Sequence, residues 1–144
     1  MAILVTRPQP DNTSTATALR ARGFDVLLVS GGAPIQLDLG GARFHQLPPV
    51  RARDGGLRVL SRLDGSPLDD AFTAERTRQL LGLFRAEAPD VLITEQFPCG
   101  RTQLRFELLP LLDAAEARRP KPLIVTSVRD IVRRSMSPER VEQA

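Results

Sequence analysis

Three groups of residues have the types and the placing to do chemistry, and each directly follows an apolar run. Glu95 ends the run Val91-Leu92-Ile93-Thr94 and opens the turn Glu95-Gln96-Phe97-Pro98-Cys99-Gly100. A carboxylate projecting from a strand end can act as a general base or bind sugar hydroxyls; the plainer alternative is a solvated acid paired with Arg101 or Arg105. Ser127, Arg129 and Asp130 follow the run 123–126. A hydroxyl and a guanidinium at a helix N-terminus make an anion site, while Ser127 or Asp130 as a helix cap, with Arg129 in a salt bridge, is the alternative. Gly31 and Gly32 follow Ser30 at the end of another run, where they let a backbone approach a ligand or supply a turn that needs positive φ. The candidate set is therefore Glu95 as the catalytic group, with Gly31, Gly32, Gly100, Ser127, Arg129 and Asp130 as binding residues.

Other reactive side chains lack companions. Cys99 has no base beside it in the sequence and is expected to be a small buried filler rather than a nucleophile. His45 is the only histidine, so no metal constellation is expected, and no cofactor. Arginines 51, 53, 58 and 62 alternate with Asp54 and Asp64, as on a solvated loop that can also clamp an anion.

The elements that position these groups follow from hydropathy. Residues 2–6 and 24–30 are nearly continuous apolar runs, as in strands buried on both faces. Between them Asn12, Thr13 and Ser14 offer caps, Ala16, Leu19 and Ala18 an inward face, and Gly23 a stop. A loop over 33–42 leads to a short strand at 43–47. The polar stretch 48–67 is a long loop, and Phe72, Leu80, Leu81 and Phe84 mark an amphipathic helix from 68 or 69 to 88, with Ser66 as its cap. Strands at 91–94 and 123–126 flank a helix over 102–118, which Pro110 should kink or break. Residues 131–144 suit a helix start or a tail.

This order predicts an α/β fold: a single Rossmann-like domain over 1–144, with a doubly wound parallel sheet of about five strands. Ligands then sit beyond the carboxyl ends of the strands, where strand order reverses. The first βαβ portion, 1–29, departs from a nucleotide-binding pattern. Its turn, Thr6-Arg7-Pro8-Gln9-Pro10-Asp11-Asn12, contains no glycine.

Bulk properties exclude several classes. The 144 residues are 42% hydrophobic and 26% charged, ordinary for one globular domain. Net charge is +3, yet the cations are arginines scattered among acids, Lys121 is the only lysine, and Tyr and Trp are absent. That distribution argues against nucleic-acid binding. No run is long enough for a membrane span. One cysteine and no visible leader point to the cytoplasm.

From about Val26 to Arg140 the chain resembles the N-terminal domain of predicted bacterial GT-B glycosyltransferases of the MurG-like type. The resemblance rests on VLLVSGGAP (26–34), LDLGGARFHQLPPVRARDG (37–55), PLDDAF (67–72), PDVLITEQFPCGRTQLRFELLPLLDAA (89–115) and PLIVTSVRDI (122–131). It implies half of a GT-B fold that receives the acceptor, while a second domain binds the nucleotide-sugar. It also implies a crevice lined by Glu95, Gly100, Arg129 and Asp130, and an exposed apolar flank for a partner domain or a homo-oligomer.

Residues 2–28 instead resemble the start of uroporphyrinogen-III synthase, whose first strand also ends in Thr-Arg-Pro. That likeness implies Arg7 near an anionic tetrapyrrole. The transferase family's Gly-His turn, which places a histidine near the reacting hydroxyl, is absent here. A chimeric or truncated chain, a mispredicted start and genuine divergence all fit. The expectation is a polypeptide inactive as a transferase alone; the alternatives are a tetrapyrrole enzyme and a non-catalytic Rossmann-like binding module.

Overall fold

The structure, a computed structural model, describes residues 1–7, 13–34, 36, 38–53 and 59–128. Apolar runs form the centre of a five-stranded parallel sheet. Its strands are β1 (Ala2–Arg7), β2 (Asp25–Ser30), β3 (Arg43–Gln46), β6 (Val91–Glu95) and β7 (Leu123–Ser127), in the order β3-β2-β1-β6-β7. Because successive side chains point to opposite faces, the two central runs feed two cores. Leu4, Leu27, Val29 and Leu92 face one way, against Leu80 and Phe84 of α2 (Asp70–Glu87) and Leu108 and Leu111 of α3 (Arg105–Ala117). Ile3, Val5, Val26 and Leu28 face the other way, against Ala16 of α1 (Thr13–Ala21). Helices thus cover both faces, and the fold is α/β and Rossmann-like, as the element order predicts.

Local chemistry sets the helix ends. After α1, Gly23 takes φ +84°, a left-handed value that stops the helix with little strain. Ala16 is buried and Leu19 half-buried, whereas Ala18 is exposed and does not belong to the inward face. Asp69, rather than Ser66, caps α2: its carboxylate accepts from the Phe72 N–H at 2.8 Å. Pro110 lies within α3 without ending it, and the break falls earlier, as a single 3-10 turn at Thr102–Leu104.

The stretch 48–67 is not simply a loop. Val50–Ala52 (β4) and Leu60–Arg62 (β5) pair antiparallel, and Ser61 bridges to Pro67. The arm is tied to the domain at β5, where the Arg62 guanidinium stands 4.8 Å from the Phe72 ring centroid and 2.5 Å from Asp69. At the opposite edge of the sheet, Leu123 and Val125 of β7 are 63% and 37% exposed. They share a face with Val91 and Ile93 through the register Leu123↔Val91 and Val125↔Ile93.

Candidate functional site

Strand order reverses between β1 and β6. The chain runs β1 to β2 to β3 towards one edge, then re-enters at β6 and proceeds to β7 at the other. Crossovers therefore diverge beyond Thr6 and Thr94, which are paired in register, and leave a crevice there. The turn after β6 is held closely. Thr94 and Thr126 both donate from Oγ1 to the Phe97 carbonyl, at 2.9 and 3.0 Å, and the Gln96 N–H donates to the Ser127 carbonyl at 2.8 Å. Gln96 and Arg101 take left-handed φ values of 60° and 54° without being glycine. Such conformations cost on the order of 1–3 kcal/mol each and persist where the surroundings over-determine them.

A cavity of about 250 Å³ opens at this crevice. Thr6 and Glu95 line it from the strand ends, Arg101 from the end of the turn after β6, and Val29, Leu80 and Leu108 from the apolar core. The β4–β5 arm closes another side with Val50, Arg51 and Leu60. Glu95 is only 4% exposed, so it is not a solvated acid, and Arg101 Nη2 lies 3.8 Å from its carboxylate. Arg101 Nε is buried without a hydrogen-bond partner among the described residues.

Deep in the cavity wall lies a charged pair. Arg76 is 1% exposed and makes a bidentate pair with Glu107: Nε to Oε2 at 2.8 Å and Nη2 to Oε1 at 2.8 Å. Its Nη1 donates to the Gly31 carbonyl at 3.2 Å and to the Pro48 carbonyl. One guanidinium thereby joins α2, α3, the turn after β2 and the base of the β4–β5 arm. Burying an ion pair requires this completeness, since an unmatched buried charge costs several kcal/mol.

Of the candidates from sequence, the cavity brings together Glu95, Gly31 and Gly32. Gly31 is outside the positive-φ set, so backbone conformation does not demand it. A Cβ there would instead stand 2.4 Å from Arg76 Nη2. Gly100, in the turn after β6, and Ser127, the last residue of β7, do not line the cavity. A Cβ at Gly100 would meet Gln96 at an ordinary 3.4 Å. Arg129 and Asp130 lie outside the described residues, as do Arg58 and Asp54. Cys99 is exposed rather than buried. Among the described residues no cluster of His, Cys, Asp and Glu is placed to hold a metal ion, and no helix is long and apolar enough to cross a membrane.

Sequence reasoning did not single out Arg76, Glu107, Thr6 or Gln103, all of which line the cavity. A signal existed for the first two. Arg76 falls in the i, i+4 series Phe72, Arg76, Leu80, Phe84 of α2, and Glu107 adjoins Leu108 and Leu111 on α3. A charge in an apolar stripe on each of two helices is a signature of a buried pair.

Fold and site together define a Rossmann-like α/β domain with a small, partly apolar cavity at its topological switch point. No protein-family model matches the sequence, and no curated protein matches it significantly.

Proposed function

We propose that this chain is the acceptor-side half of a GT-B-type glycosyltransferase, and that its cavity receives the acceptor. The observation that carries the reading is the placing of Glu95: a buried carboxylate at the end of β6, lining a small cavity at the switch point. There it accepts the proton of an acceptor hydroxyl while the hydroxyl oxygen attacks the anomeric carbon of the donor sugar. The bond from that carbon to the nucleoside diphosphate breaks, and its electron pair leaves with the diphosphate. The apolar wall of Val29, Leu80 and Leu108 suits the C–H face of a sugar ring.

Size favours this over the tetrapyrrole reading. The cavity's volume of about 250 Å³ falls just below that of ligand pockets, which run from roughly 300 to 1,000 Å³. A single sugar ring fits that scale better than a linear tetrapyrrole does.

Two measurements test the proposal. Ligand-observed NMR should show saccharides, but not nucleotide-sugars, binding the isolated chain, and Glu95→Gln should retain the binding. Transfer from radiolabelled nucleotide-sugars should be absent, because an acceptor-side half does not by itself hold a donor in line with the acceptor hydroxyl. Tight nucleotide-sugar binding would reverse the assignment of halves, turnover by the chain alone would overturn it, and cyclisation of hydroxymethylbilane would replace it with the synthase reading.

A further inference from the structure

Resting on the cavity as an acceptor site, we infer that it selects a saccharide bearing one anionic group, a carboxylate or a phosphate monoester, and that Arg101 is the residue that takes that group. Three guanidiniums and two carboxylates line the cavity among the described side chains: Arg51, Arg76 and Arg101 against Glu95 and Glu107. Arg76 and Glu107 neutralise one another in a closed bidentate pair. Arg101 meets Glu95 through Nη2 at 3.8 Å, which is beyond hydrogen-bond length, and leaves its buried Nε donor without a partner among the described residues. Arg51, on the arm, forms no ion pair among the described residues and adds a cation at the mouth.

A buried guanidinium donor without an acceptor is costly, and an anionic ligand oxygen is the acceptor that satisfies it best. The left-handed φ of Arg101, 54°, fits the same role: the turn holds a non-glycine residue in a conformation that costs free energy and sets its side chain beside Glu95. The arrangement places a cation for the anionic group next to the carboxylate proposed to accept the hydroxyl proton. A ligand that presents both groups on one sugar ring spans the two.

The test is a titration series on the intact chain with glucuronate, glucose 6-phosphate, neutral glucose and inorganic phosphate. Glucuronate or glucose 6-phosphate should bind at least about tenfold tighter than glucose, with the difference shrinking as salt is raised. Arg101→Gln should abolish that preference, Arg101→Lys should keep part of it, and Arg51→Gln should weaken it less. Amide spectra of each variant report whether the fold is retained, and Arg51→Gln, on the exposed arm, remains a second probe if Arg101→Gln does not fold. Glucose binding as tightly as glucuronate would overturn this inference and leave the acceptor reading standing. Inorganic phosphate binding as tightly as the sugar anions, and lost in Arg101→Gln, would support the anion site but remove the saccharide. Absence of binding by every probe would overturn both.

Discussion

Gly31 and Arg76 fit together as a socket and its plug. The backbone of the turn after β2 approaches the buried guanidinium so closely that a methyl group at Gly31 would stand 2.4 Å from Nη2, while the Gly31 carbonyl accepts from Nη1 at 3.2 Å. Gly31→Ala is therefore expected to destabilise the fold by about 1–3 kcal/mol through overpacking. The midpoint of urea unfolding measures it. A variant as stable as the parent would show that the guanidinium moves aside freely.

Arg76 and Glu107 should behave as a unit. Removing one partner alone, in Arg76→Met or Glu107→Leu, leaves a buried charge and is expected to cost about 3–5 kcal/mol. The double variant should recover most of that loss, since two packed apolar side chains replace two matched charges. A double-mutant cycle in urea tests this, and additive losses would mean that the pair is not coupled.

Acid should weaken the domain through carboxylates held by arginines. Arg78 and Gln79 hydrogen bonds lower Glu75 from its ordinary 4.5 to about 2, and the Arg43 hydrogen bonds lower Glu87. A depressed native value means that the unfolded chain binds more protons in this range. The contribution is thus complete above about 4.5 and lost as pH falls towards about 2. Thermal midpoints across that window should fall more steeply for the parent than for Glu75→Gln or Glu87→Gln. Equal slopes would remove these two residues as the source.

The β4–β5 arm is expected to be held at its root by Arg62, whose guanidinium lies over the Phe72 ring and pairs with Asp69. Arg62→Ala should speed hydrogen exchange at Arg53, whose N–H donates to the Val59 carbonyl across the arm, while the Leu4 amide in β1 stays protected. Uniform acceleration across the sheet would show that the residue supports the whole fold rather than the arm.

Several elements were legible because local signals agreed. The apolar runs at 2–6 and 24–30 could only be buried strands, and the Phe72, Leu80, Phe84 spacing marked α2 from end to end. The arm was not legible. Val50-Arg51-Ala52 and Leu60-Ser61-Arg62 are three residues each, too short for alternation to register, and their pairing is non-local. Glu95 stood out because it follows a strand directly. Arg101 appeared only as that acid's partner, since nothing local reveals a left-handed φ at an arginine.

Taken alone, the order of apolar runs and caps determined an α/β domain with a parallel sheet, and hence which strand ends face the ligand crevice. Tertiary structure decided what occupies that crevice. The sequence marks Arg76 and Glu107 only as charges within two separate apolar stripes, yet 31 positions apart they meet through two oxygen–nitrogen contacts of 2.8 Å and free each other from the need for water. Gly31 changed its meaning for the same reason. Its lack of a side chain serves the approach of a guanidinium brought from another helix, a requirement that exists only once the chain has folded.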